Sequence, residues 1–135
     1  MFWRSKTTID DPLLGTLTLA RTASHWRSAV LPTPWGPVTL SVAGDRRAPA
    51  RQALAEARRL LAHPPASVVD AARTFVLADP EAAAFCGGHG ELTLEGFSFD
   101  ATGAMSVEFT LSRWRDAMLS VVFDEDRPRE VHLAD

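Results

Sequence analysis

The sequence predicts an α+β fold in which helices cover one face of a mainly antiparallel sheet. Three C-terminal stretches place apolar side chains at every second position, a period typical of half-buried strands; they span residues 105–111, 119–123 and 130–133. Residues 50–84 are rich in alanine and follow helical spacing, so they can cover the apolar face of such a sheet. We expect two layers: N-terminal strands and a C-terminal meander form the sheet, and two helices from the middle of the chain cover it.

The length of 135 residues is typical of one domain, which should bury roughly two-thirds of its unfolded surface. We expect a single domain over residues 1–135, with residues 1–10 as a loose lead-in. The one cysteine, Cys86, excludes an intramolecular disulfide, and no leader-like segment opens the sequence. These features favour the cytoplasm. We expect no membrane span, because no apolar run approaches the ~20 residues that one needs.

Arginine supplies 13 of the 14 basic residues, while Tyr and Asn are absent, which is typical of the coding bias of a GC-rich bacterial genome. The arginine excess is therefore not evidence for nucleic-acid binding, and the net charge of −3 opposes it. Residues 1–60 carry a balance of +5 and residues 61–135 one of −8. Either the two halves attract one another in the folded domain, which we favour, or the acidic half docks a basic partner.

Three strands are predicted in the N-terminal third of the chain. Residues 13–19 alternate loosely, and residues 24–30 place Trp26 and Val30 on one side, so a hairpin is expected. Residues 31–37 contain three prolines and predict a rigid loop. Alternation resumes at residues 38–42, which predict the third strand.

Two helices are predicted in the middle of the chain. The first begins near Pro49, since apolar residues recur at spacings of three and four until Pro64 and Pro65 end it. The second begins near Ser67, which we expect to be its N-cap. Asp79 and Pro80 predict a third, short helical turn that ends at residues 87–88.

From Glu91 onward the pattern predicts a meander of four strands with short connections. A shift of parity at Gly96 indicates a β-bulge in the first of them. Turns are expected at residues 100–103 and 113–116.

No complete active site is recognisable in the sequence. Cys86 and His89 have a spacing that suits one metal ion, but they supply two ligands where a structural zinc site takes four, so we expect neither a metal nor a cofactor. Nucleophile-elbow, phosphate-loop and dinucleotide-binding patterns are absent. His25 and His132 alternate away from apolar neighbours, and either serves as a general base only if a carboxylate orients it. Residues 124–126 are all acidic and predict a charged turn, or less readily a contact with a partner.

Two tryptophans are difficult to bury from the pattern alone. Trp35 lies in the proline-rich loop, and Trp114 lies between Arg113 and Arg115 in a predicted turn. Tryptophan and arginine in loops are typical of interface hot spots, although tryptophan is also usually mostly buried. We therefore name Trp35, Arg113, Trp114 and Arg115 as the candidate partner-binding residues.

Residues 9–17, Ile-Asp-Asp-Pro-Leu-Leu-Gly-Thr-Leu, resemble the opening strand of a loose group of small uncharacterised bacterial proteins, Asp-x-x-hydrophobic-Gly-x-Leu. In that group a tryptophan-containing strand, a helical middle and a C-terminal meander with a Phe-Asp pair follow, and Trp26 and Phe123-Asp124 match these features. Several such families resemble immunity proteins of polymorphic toxin systems. The resemblance implies a protein that neutralises a toxin by binding it, and it implies no catalytic residue.

The leading hypothesis is a non-enzymatic protein-binding domain of the cytoplasm, either of the immunity type or an accessory factor. The alternative is a small enzyme or ligand-binding domain whose pocket lies between helices and sheet and uses His25, His89 or His132 with a nearby carboxylate. Dimerisation through an edge strand stays open, since the first and last strands carry no obvious protection.

Overall fold

A computed structural model of the chain describes residues 6–135. The elements of this part of the chain are, in order, β1 (Thr8–Asp11), β2 (Gly15–Leu19), β3 (His25–Ser28), β4 (Leu31–Thr33), β5 (Gly36–Ala43), α1 (Arg51–Ala62), α2 (Val68–Ala78), α3 (Pro80–Cys86), β6 (Leu92–Phe99), β7 (Met105–Leu111), β8 (Trp114–Asp124) and β9 (Arg127–Ala134). The predicted α+β class is confirmed. Among the described residues, no helix has both the length and the apolar character needed to cross a membrane.

The strands form one sheet in the order β1-β2-β3-β5-β6-β7-β8-β9, with β4 as a hairpin partner of β5. All neighbours are antiparallel except β5 and β6, which are parallel. Parallel neighbours need a crossover connection, and the three helices supply it between these two strands. The sheet is thus mainly antiparallel, as predicted.

The register of the strands separates an apolar face, here called the inner face, from a polar outer face. One row of the inner face crosses five strands and consists of Leu40, Phe97, Val107, Val121 and Val131. The next positions on three of these strands form a row of serines on the outer face, Ser41, Ser98 and Ser106. Buried residues of the helices join the inner-face residues in one apolar core.

The N-terminus differs from the prediction. The lead-in predicted over residues 1–10 contains a strand, β1, which pairs with β2, and residues 13 and 14 belong to the turn between them. Residues 1–5 of that lead-in lie outside the described residues. The Asp11 carboxylate accepts hydrogen bonds from the backbone N–H groups of Leu13 and Leu14, and this local bonding makes the turn that the alternation pattern missed.

The predicted proline loop is also partly wrong, because residues 31–33 form β4. Pro32 lies opposite Pro37 in this hairpin, at a place where the missing N–H groups are tolerated. The Thr33 hydroxyl donates to the carbonyl of Gly36 and closes the turn. Trp35 lies in this turn.

Three helices are present where two were predicted to form the covering layer. Helix α1 packs against β5 and β6, α2 against β8 and β9, and α3 against β9. Asp79 ends α2 and begins α3, since its side chain accepts the N–H of Ala82 and Pro80 stands at the first helical position. Ser67, predicted as the cap of α2, makes no such hydrogen bond.

The C-terminal meander is confirmed with all four strands, β6 to β9. The pairing of β6 with β7 shifts between Leu94 and Gly96, as the predicted bulge requires. The turn between β7 and β8 is shorter than predicted and consists of residues 112 and 113. Trp114 and Arg115 therefore lie on β8 and not in a loop.

Candidate functional site

Trp35, the first candidate partner-binding residue, is half-buried. Its ring centroid lies 5.2 Å from that of Phe97, an inner-face residue of β6. Such tilted aromatic pairs contribute to stability beyond the area that they bury. Trp35 thus packs partly on the core, and only the remainder of its ring is available to a partner.

Trp114 is half-buried as well and belongs to an aromatic cluster at the exit of α3. Its ring centroid lies 4.8 Å from that of Phe85 and 4.7 Å from that of His89. Arg113 and Arg115 on either side are exposed. The partner-binding role of Trp35, Arg113, Trp114 and Arg115 stays a prediction, in which the two arginines are the more accessible members.

The three histidines of the alternative hypothesis lie in different surroundings. His25 Nδ1 is 3.2 Å from the hydroxyl of Ser24, and His89 stacks on Trp114. His132 Nε2 lies 3.4 Å from Oε1 of Glu130, so this one has the orienting carboxylate that a general base requires.

Cys86 is buried, and burial raises the pKa of its thiol, which disfavours the reactive thiolate. His89 lies against the ring of Trp114, with the two ring centroids 4.7 Å apart. Within residues 6–135, no group of three His, Cys, Asp or Glu side chains is placed to hold a metal.

A cleft opens between the helices and the sheet, at the end where β6 and β8 finish and β7 and β9 begin. Its volume is about 1000 Å³. We call it the interlayer cleft. Apolar side chains from both layers line it: Leu60, Val68, Phe99, Met105 and Phe123. Concave sites with apolar walls and a few polar groups are the usual form of binding sites in proteins.

The rim of the interlayer cleft is charged on both sides. Helix α1 and the residue after it contribute Glu56, Arg59 and His63. Arg59 Nη2 lies 3.5 Å from Glu56 Oε1, so this cation is already paired. Asp124 at the end of β8 and the next two residues, Glu125 and Asp126, line the other side, and we call these three residues the acidic turn.

Backbone geometry presents the acidic turn to the cleft. Glu125 has a φ of +56°, a left-handed conformation that allows the tight β8–β9 connection. The pairing of β8 with β9 then shifts, because Phe123 faces Pro128 while Val122 faces Glu130. Arg129 is the extra residue of this bulge, and bulges redirect side chains. Its side chain lines the cleft and lies 3.2 Å from Glu130.

The β6–β7 turn forms the facing wall and is held by Asp100. Its Oδ1 accepts the N–H groups of Thr102 and Ala104 and the Thr102 hydroxyl. The hydroxyl bond lowers the pKa of Asp100 most, against the effect of burial, and the backbone N–H groups lower it further. Gly103 has a φ of +90° and lies against the backbone of Gln52 in α1. These contacts hold the β6–β7 turn against helix α1 at this wall of the cleft.

The sequence suggested a pocket between helices and sheet, as the alternative hypothesis, but not its position at this end of the sheet or the residues that line it. It predicted the acidic turn, the turn at residues 100–103 and the break at Pro64 and Pro65, and these three connections converge on the cleft. The alternating pattern predicted that Phe99 and Phe123 lie on the apolar face of the sheet. It did not indicate that both lie beside a cleft. The signal available was that two meander turns and the helix–helix connection can meet at one end of the sheet.

Comparisons with family models, curated proteins and solved structures returned no match. The resemblance of residues 9–17 to small bacterial proteins stays a prediction.

Proposed function

We propose that the chain is a non-enzymatic binding domain that recognises a protein partner through the interlayer cleft and the acidic turn. The observation that carries this proposal is the combination of an apolar floor with three carboxylates at its edge that no cation of residues 6–135 pairs. The partner supplies an apolar side chain for the floor and basic residues for the rim. An immunity-type or accessory factor acts by binding in this way.

The apolar floor of the interlayer cleft supports binding of an apolar side chain of the partner. Phe99 and Phe123 occupy inner-face positions at the ends of β6 and β8. Met105 lies opposite Phe99 at the start of β7, the strand between them. An anchor side chain in such a pocket is shielded from water, and anchors of this kind carry most of the energy of protein interfaces. Methionine adapts to side chains of different shape.

The acidic turn supports binding of basic residues of the partner. No cation of residues 6–135 lies within 4.0 Å of the carboxylates of Asp124, Glu125 or Asp126. All three residues are exposed, so a basic segment can approach them without displacing an internal ion pair. Complementary charge at a rim raises the rate of association and selects among partners.

A small-molecule ligand is the second candidate, favoured by the position of the cleft between helices and sheet. The volume of about 1000 Å³ lies near the upper end of the range for small-molecule sites, about 300–1000 Å³. None of His25, His89 and His132 lines the cleft, so a catalytic version of this candidate lacks the side chains assigned to it.

The test fills the cleft without changing the rest of the surface. Ala71 on α2 lines the cleft and is half-buried, whereas Ala78 on the same helix is exposed and lies outside it. Tagged wild type, Ala71→Trp and Ala78→Trp are used to capture partners from the cells that encode the chain. We expect one stoichiometric protein with the wild type and with Ala78→Trp, and its loss with Ala71→Trp.

Charge is tested on the same preparations. Replacing Asp124 and Asp126 with lysine should weaken capture of the same protein and remove its dependence on salt, because the carboxylates attract basic residues. If Ala71→Trp, folded as judged by circular dichroism, captures the partner as well as the wild type does, the partner does not occupy the cleft and the proposal is wrong.

A further inference from the structure

A second groove runs along the edge of the sheet at β9. It has a volume of about 380 Å³, and residues 129–133 of β9 all line it. Successive residues of a strand point to opposite faces, so five consecutive residues line one groove only if it follows the edge of the strand. Among the described strands β9 pairs with β8 alone. Its outer edge therefore carries backbone N–H and C=O groups that no other strand of residues 6–135 pairs, which makes it a template for another strand.

The helices form one wall of this edge groove. Phe75 of α2 contributes an apolar surface, and Asp79 and Glu81 at the start of α3 contribute carboxylates. A strand that pairs with β9 would place every second side chain against this wall. The wall favours apolar and basic side chains at those positions.

We propose that the occupant of the edge groove is a second copy of this chain, whose β9 pairs antiparallel with the first β9 about a twofold axis at Val131. Two sheets then become one continuous sheet across the dimer. A twofold interface uses the same patch on both copies, so every contact on one side of the axis recurs on the other.

The register follows from side-chain parity and charge. Residues directly opposite one another in an antiparallel pair point to the same face of the sheet. The twofold axis must therefore pass through a residue of β9, because an axis between two residues would place an inner-face residue opposite an outer-face residue. An axis at Glu130 opposes two carboxylates, and an axis at His132 opposes two imidazoles. An axis at Val131 places Glu130 of each copy opposite His132 of the other, which gives two such pairs. It also places the two Val131 side chains in contact.

The same register satisfies the helix wall. Arg129 of the second copy lies opposite Leu133 of the first, and Leu133 lines the groove together with Asp79 and Glu81. The guanidinium thus approaches the two carboxylates of the first copy. Cross-strand pairs of opposite charge stabilise a sheet and like charges destabilise it.

The other edge of the sheet does not offer this complementarity. Strand β1 has four residues and, among the strands that the structure describes, pairs with β2 alone. An axis at Ile9 opposes Thr8 to Asp10, and an axis at Asp10 opposes two carboxylates. Charge therefore selects β9 over β1 as the self-pairing edge.

Sedimentation equilibrium over a range of protein concentrations tests the proposal. We expect a monomer–dimer equilibrium for the wild type and a dissociation constant about tenfold higher for Glu130→Arg, which turns two attractive pairs into repulsive ones. The double variant Glu130→Arg/His132→Glu restores opposite charges and should dimerise again. Glu95→Arg makes the same change of charge on β6 and should dimerise like the wild type.

Hydrogen exchange locates the interface independently. The amides of β9 that face away from β8 should be protected at high concentration and exchange rapidly at low concentration. A wild type that stays monomeric at millimolar concentration overturns the proposal, as does a dimer whose concentration-dependent protection lies outside β9. The inference is independent of the proposed function, because Ala71→Trp fills the interlayer cleft and should leave dimerisation unchanged.

Discussion

Arg58 on α1 donates from Nε to Oδ1 of Asp11 at 2.8 Å, which ties the helix layer to the β1–β2 hairpin. Asp11 is only 5% exposed, and its other carboxylate oxygen accepts the N–H groups of Leu13 and Leu14. Burial raises the pKa of Asp11, but the hydrogen bonds from Arg58, Leu14 and Leu13 together outweigh it, so the pKa lies below its usual value. One carboxylate therefore holds a turn and joins the two layers.

Asp11→Asn should lower the free energy of unfolding by about 2 kcal/mol at neutral pH, because the amide replaces a buried charged acceptor. A depressed native pKa contributes stability that is present above the unfolded pKa of about 3.9 and is lost as the pH falls through the native value. The difference between wild type and Asp11→Asn should therefore narrow below about pH 4.

Urea unfolding of both proteins at pH 7, 5 and 3 measures this difference. Asp10→Asn is the matched control, because Asp10 is exposed and its side chain accepts, within residues 6–135, only the hydroxyl of Thr16. A difference that stays constant from pH 7 to pH 3 would show that the Asp11 charge contributes nothing to stability.

Gly96→Ala should destabilise the protein by about 3 kcal/mol, because a Cβ at this position would lie 1.9 Å from the carbonyl oxygen of Thr39 on β5. The contact is with backbone and cannot be relieved by rotating a side chain. Gly88→Ala serves as the control. Its Cβ would meet nothing within 4 Å, and its φ of +78° costs about 1 kcal/mol. Thermal unfolding that ranks the two variants in the opposite order contradicts the close approach of β5 and β6.

Asp79→Ala should cost about 1 kcal/mol of stability, since it removes the acceptor for the N–H of Ala82 at 2.8 Å. Ser67→Ala makes the corresponding change before α2, where the side chain caps nothing, and should cost much less. Chemical denaturation of the two variants compares them directly. Equal losses would mean that Ser67 caps α2 in solution.

Trp114→Ala should lower stability by about 2 kcal/mol, because the ring loses its contacts with Phe85 and His89. Arg113→Glu and Arg115→Glu should leave stability within about 0.5 kcal/mol of the wild type, since both side chains are exposed. If these residues form a partner surface, the arginine variants weaken capture of the partner while the protein stays folded. Arginine variants that capture it normally would show that Arg113 and Arg115 do not contact the partner.

The elements that sequence analysis predicted correctly are those with strong local patterns. Strands β6 to β9 alternate with a period of two, and α1 repeats at three and four, so the side chains themselves specify the element. The errors lie where side-chain hydrogen bonds decide the backbone. Asp11 closes the β1–β2 turn and Thr33 closes the β4–β5 turn, and neither bond leaves a periodic signal.

The candidate site shows the same division. The acidic character of residues 124–126 is visible in the sequence, while their position beside Phe99 and Phe123 depends on contacts between residues far apart in the chain. The partial burial of Trp35 and Trp114 is likewise not predictable from the sequence, because a ring in or beside a turn is buried or exposed according to what packs on it.

The sequence by itself determined the α+β class, the four-strand meander, the bulge at Gly96 and the polar outer side of the C-terminal strands, because periodicity and composition act locally. Only the tertiary structure decided the parallel pairing of β5 with β6, the Arg58–Asp11 link and the convergence of three connections on the interlayer cleft. These features depend on the order of strands and on the packing of layers, which distant residues decide together and no local pattern encodes.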